Sequence, residues 1–105
     1  MTQFDVHRNA NPASRARFPL LLCVQTDLLS DLNTRMVVPL CPASAMKGRI
    51  LGHLTPILHV EGKPYAMLTL QMAGIAAKQL GAKVANLAAQ RQEIITALDF
   101  LITGV

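Results

Sequence analysis

The spacing of hydrophobic and polar positions changes along the chain, and each change predicts an element. From Gln3 to Arg8 (QFDVHR), Phe4 and Val6 alternate with polar neighbours, the period of a half-buried strand. Asn9–Pro19 (NANPASRARFP) loses all periodicity and gathers Asn, Pro, Ala and Ser, which reads as an exposed loop. Leu20–Gln25 is a short continuous apolar run that fits a core strand, followed by turn formers Asp27, Ser30, Asp31 and Asn33 among three leucines. Thr34–Leu40 is a further strand, with Pro39 expected at a strand end or edge. Pro42–Ile50 has Pro near its first turn and Gly48 near its end, the signals of a short helix.

Pro56–Val60 and Tyr65–Leu70 flank EGKP, which predicts a hairpin. Residues 71–83 fit either a strand or a helical turn. Past Asn86, an expected N-cap, Leu87, Ile94, Ile95, Leu98, Leu101 and Ile102 recur at spacings of three, four and seven, the stripe of a helix. Arg91 intrudes on the stripe, and Gly104 is the expected stop. These elements describe one domain over residues 1–105, mainly β with a C-terminal helix. Its closing stretch, DFLITGV, is expected to carry the apolar pattern to a tip with no further chain to pack on.

Composition adds a constraint. The chain is 51% hydrophobic and 15% charged, against about 25% charged in an average globular domain. A chain of 105 residues cannot bury that much apolar surface internally, so a subunit contact is expected, and a homodimer is the simplest one. No apolar run approaches the roughly 20 residues of a membrane span, and the N-terminus lacks the apolar region of a signal peptide. The expected location is the cytoplasm. The net charge is +4, concentrated only at Arg8, Arg15 and Arg17, and 4% aromatic residues supply few platforms for base stacking. An acidic protein partner for that loop fits as well as nucleic acid does.

A search for chemistry finds little. His7, His53 and His59 have no metal-ligand spacing among themselves or with Cys23 and Cys41, so no metal is expected. The two cysteines lie in apolar stretches and read as buried thiols. No phosphate-binding glycine motif and no paired carboxylates stand out, and no cofactor is expected.

Val24–Leu29 (VQTDLL), Thr34–Leu40 (TRMVVPL) and the tail from MLTLQM to DFLITGV, in a match that runs in order from QFDV at the start through TPILHV to the terminal residues, resemble the CcdB family of toxins, gyrase poisons of type II toxin–antitoxin modules. The resemblance covers nearly the whole chain. It implies an SH3-like, partly open antiparallel barrel of the CcdB/MazF (Kid) type with a small extra sheet, and a homodimer with the terminal helices beside the two-fold axis. It also implies a non-enzymatic protein whose paired tips enter the gate of the gyrase A subunit and block resealing of cleaved DNA. The family's best-known closing tripeptide is Trp-Gly-Ile; here the matching positions are Thr103, Gly104 and Val105. Thr103 replaces an aromatic platform that can stack on a guanidinium, a contact worth roughly 0.5–2 kcal/mol. Other gyrase-facing positions fall on Gln3, Phe4, His7, Thr26, Leu28, Leu29 and Asp99, with His7 and Asp99 departing from a Tyr and an Asn.

The resemblance further implies a CcdA-like antitoxin with an acidic, disordered C-terminal segment, and operator DNA reached only through that complex. Arg8, Arg15 and Arg17, with Met46, Lys47 and Arg49, are the expected antitoxin contacts. Two alternatives share the fold. One is a MazF/Kid-like ribonuclease, for which Arg35, Arg49 and His53 are the available groups. The other is a weakened toxin kept for antitoxin binding and operon autoregulation.

Overall fold

The computed structural model describes residues 2–29, 31–46 and 52–104. Seven strands are present among them: β1 (Asp5–Asn9), β2 (Leu20–Cys23), β3 (Thr34–Pro42), β4 (Ile57–Val60), β5 (Lys63–Met67), β6 (Ala73–Ala76) and β7 (Leu80–Asn86). One helix, α1 (Arg91–Thr103), follows. The strands form an antiparallel sheet in the order β4-β5-β3-β2-β1-β7, with β6 added beside the first half of β3. The sheet curls into an open half-barrel, the fold class expected from the sequence.

The core lies on one face of the curl. Val6, Leu22 and Val38 stand in one row across β1, β2 and β3, and Leu20 and Leu40 pair in the next. Leu58, Val60 and Met67 extend the core to the β4–β5 hairpin, and Leu87, Ile94 and Ala97 close it from the C-terminal segment. The helix therefore buries a stripe formed by Ile94 and Ala97, with Ile95 and Leu98 at its margins.

Several elements depart from the sequence pattern for identifiable reasons. In β1 the polar residues Asp5 and His7 are buried along with Val6; β1 is paired on both edges, by β2 and β7, and both polar side chains find partners on β7. Pro39 lies inside β3, a central strand. It falls where β3 changes partner, from β6 at Thr34–Val37 to β5 at Leu40–Pro42, so its missing N–H interrupts neither ladder. The Pro42–Ile50 helix is a 3₁₀ turn over Ala43–Ala45, with Pro42 the last residue of β3; residues 47–51, Gly48 included, lie outside the described residues. The hairpin turn is tighter than EGKP: Glu61 (φ 53°) and Gly62 (φ 80°) alone make it, the left-handed pair of a type I′ turn. Lys63 and Pro64 are already strand, and the strand stops at Met67 ahead of a 3₁₀ turn at Thr69–Gln71.

Residues 71–83 hold both expected forms: β6 and the start of β7, short strands whose half-exposed positions leave no clear alternation, joined by a 3₁₀ turn over Ala77–Gln79. Asn86 does not cap the helix. It ends β7, pairs with Asp5, and accepts the Ala88 N–H on its side chain at 2.9 Å, the cap chemistry expected of it used for a 3₁₀ turn over Ala88–Gln90. The helix starts five residues later.

Candidate functional site

Two groups of candidate residues emerge. The first surrounds the N-terminal corner. The Gln3 N–H donates to Asp27 Oδ1 at 2.7 Å, and Gln3 Nε2 donates to the Val24 carbonyl at 3.2 Å. The Thr26 hydroxyl accepts the Leu28 N–H at 3.4 Å, at the start of a 3₁₀ turn over Asp27–Leu29. That turn holds Leu28 91% exposed and Leu29 half exposed, an apolar edge continued by Leu32 and Met36. Gln3, Thr26, Leu28 and Leu29 thus share one surface. Phe4 does not: it is in the core, 4% exposed, in a left-handed conformation (φ 71°) fixed by its N–H on the Cys23 carbonyl at 2.7 Å. His7 is buried too, with Nδ1 3.0 Å from the Gly81 carbonyl.

Beneath this corner is a network that the sequence pattern does not show. Asp5, 2% exposed, accepts hydrogen bonds from the Thr2 N–H (2.9 Å) and Asn86 Nδ2 (2.8 Å), and pairs with Lys83 Nζ at 3.3 Å. Burial alone would raise its pKa. The bonds from Asn86, Thr2 and Lys83 outweigh that and hold it at about 2. Asn86 Nδ2 also reaches the Gln3 carbonyl at 3.2 Å, so the network holds Gln3 from behind.

The second group lies at the end of α1. Asp99, Thr103 and Gly104 are exposed, and Ile102 is 79% exposed. The Thr103 hydroxyl donates to the Asp99 carbonyl at 2.7 Å. Gly104 (φ 75°) stops the helix with its N–H on the Phe100 carbonyl at 2.9 Å, a left-handed cap that glycine adopts freely. Val105 lies outside the described residues. The helix packs chiefly on the Gly52–Leu54 and Thr69–Gln71 turns, with Phe100 against the His53 ring at a centroid distance of 5.5 Å.

The expected antitoxin contacts partly converge. Arg8, Arg15 and Arg17 are exposed, and the Arg17 guanidinium lies 5.0 Å from the Phe18 ring centroid, a cation–π contact. Arg17 and Phe18 line a groove of about 510 Å³ with Cys41, Met46, Leu68 and Leu70. The Cys41 thiol donates to Met46 Sδ at 3.3 Å on its wall. Burial pushes both the Cys41 and Cys23 thiols up, as fits buried, unreactive cysteines. Lys47 and Arg49 fall outside the described residues. Of the groups available to a ribonuclease, Arg35 is buried with its guanidinium on the carbonyls of Leu32 and Thr34.

A half-barrel of antiparallel strands followed by a C-terminal helix, with Ile102 exposed near the helix end, is the frame that the resemblance implied. A family model described as CcdB protein matches residues 3–104. The chain belongs to the CcdB family and is a toxin of the toxin–antitoxin type. No helix among the described residues is long and apolar enough to cross a membrane.

Proposed function

We propose that this toxin poisons DNA gyrase, binding the gyrase A subunit and trapping gyrase on cleaved DNA. The observation that carries the reading is the end of α1: one face buries Ile94 and Ala97, while Ile102 near the tip keeps 79% of its surface open to a partner. The mechanism needs no chemistry from the toxin. A surface that binds an open gate and not a closed one shifts the gate's population by its differential affinity, so cleaved DNA accumulates. The toxin acts as a cytoplasmic homodimer, presenting two tips to a two-fold gate. Family membership and the exposed leucines at Leu28, Leu29 and Leu32 support the dimer and the partner.

Gln3, Thr26, Leu28 and Leu29 are the additional contacts this reading favours. Phe4 serves from within, by shaping the corner. The antitoxin's acidic segment docks along the Arg17–Phe18 groove, whose apolar walls and basic rim suit an amphipathic acidic peptide. Incubating the purified toxin with gyrase, plasmid and ATP tests the reading. Linear DNA that depends on gyrase is expected; RNA cleavage without gyrase transfers the assignment to the ribonuclease alternative. An Arg17→Glu variant should bind an acidic antitoxin peptide more weakly and trap gyrase as well as the parent does.

A further inference from the structure

Among the described residues the main strand order runs from β4 at one end to β7 at the other, with β6 branching from β3. The chain leaves β7 at Asn86, and the Leu87 N–H donates to the Phe4 carbonyl at 2.9 Å. Three residues later Gln90 reaches the β4 end. The His59 N–H donates to Gln90 Oε1 at 2.9 Å, and Gln90 Nε2 donates to the His59 carbonyl at 2.8 Å. A stretch of four residues, at most about 14 Å of backbone, therefore ties one end of the half-barrel to the other.

The two bonds form the donor–acceptor pair that a neighbouring strand would supply. Val60 and Lys63 flank the two-residue turn as its hydrogen-bonded pair, so the next pair, His59 and Pro64, is non-hydrogen-bonded and the His59 backbone groups point away from β5. Gln90 is also the residue that precedes the first turn of α1. Its side chain makes no cap to that helix, because the carboxamide is engaged on β4 instead.

We propose that Gln90 is a positioning residue: a clasp that joins the β7 end of the half-barrel to its β4 end and sets the direction in which α1 leaves the sheet. Its consequence for gyrase rests on the reading of the helix end given above. The clasp itself does not. Gln90→Met keeps the length and apolar area of the side chain and removes both bonds. Exchange of the His59 amide should rise by at least about tenfold, and residual dipolar couplings of α1 should show the helix reoriented against the sheet. At a temperature far below unfolding, the toxin concentration needed to trap gyrase should rise about three- to tenfold. Gln90→Glu keeps the acceptor for the His59 N–H and should fall between wild type and the Met variant, which serves if the latter does not fold. Gln92→Met, on the exposed side of the same turn, should move none of these readings.

Unchanged His59 exchange, or unchanged α1 couplings, would overturn the clasp with no reference to gyrase. Exposed His59 and a reoriented helix with full trapping activity would overturn its role in presenting the tip. A wild-type protein that traps no gyrase would sink the functional reading alone, with the exchange and coupling data still deciding the clasp.

Discussion

At the N-terminal corner a buried carboxylate gathers the Thr2 N–H, Asn86 and Lys83, and Gln3 is held by Asp27, Val24 and Asn86. At the end of α1, Ile102 stands in solvent, beyond the last buried residue of the helix, Ala97. The two regions carry candidate contacts for the same partner on opposite structural terms. A residue at the corner serves fold and surface together, so its loss is felt in stability before it is felt in binding. Exposed Ile102 near the tip has little folding role to lose.

The largest expected effect separates the regions outright. Deleting Thr103–Val105 should abolish gyrase trapping, while the urea midpoint changes little, since only the final cap is removed. Trapping by the truncated protein would erase the contrast. At the corner, Asp5→Ala leaves three donors facing a void and should lower unfolding free energy by about 2–4 kcal/mol, read from urea denaturation. The charge on Asp5 sharpens the same point. Its folded pKa of about 2 lies below the ordinary 3.8, so its contribution is complete above pH 3.8 and is lost as pH falls toward 2. Urea unfolding should show an acid loss of at most about 2 kcal/mol from this group, absent in Asp5→Asn. The smallest effect is at the tip: Ile102→Ser should weaken trapping by about tenfold and leave stability within about 0.5 kcal/mol.

The same contrast explains what could be read from the sequence. The alternation at Val6, the apolar run Leu20–Cys23 and the stripe through Ile94 and Leu98 are local patterns, and each became the element it predicts. Gly104 likewise announced the helix stop, because a left-handed cap is a property of one residue. Asp5, Arg35 and Gln90 gave no such signal. For Asp5 and Gln90 the partners come from chain positions that only the folded sheet brings near, Asn86 and Lys83 for Asp5 and His59 for Gln90, while Arg35 turns onto the neighbouring carbonyls of Leu32 and Thr34. Asn86 misled for a related reason: its turn-forming side chain was visible, but the pairing with Asp5 that keeps it in β7 was not. Pro39 argued for an edge because a change of partner along β3 leaves no trace in the sequence.

The tip as a contact surface is tested most directly by hydrogen exchange on the toxin, free and bound to gyrase on cleavable DNA. Slowed exchange concentrated at Asp99–Gly104, with a weaker footprint at Gln3 and Thr26–Leu29, is the expected result. Protection confined to the Arg17–Phe18 groove, with the helix end exchanging as fast as in the free protein, would contradict it.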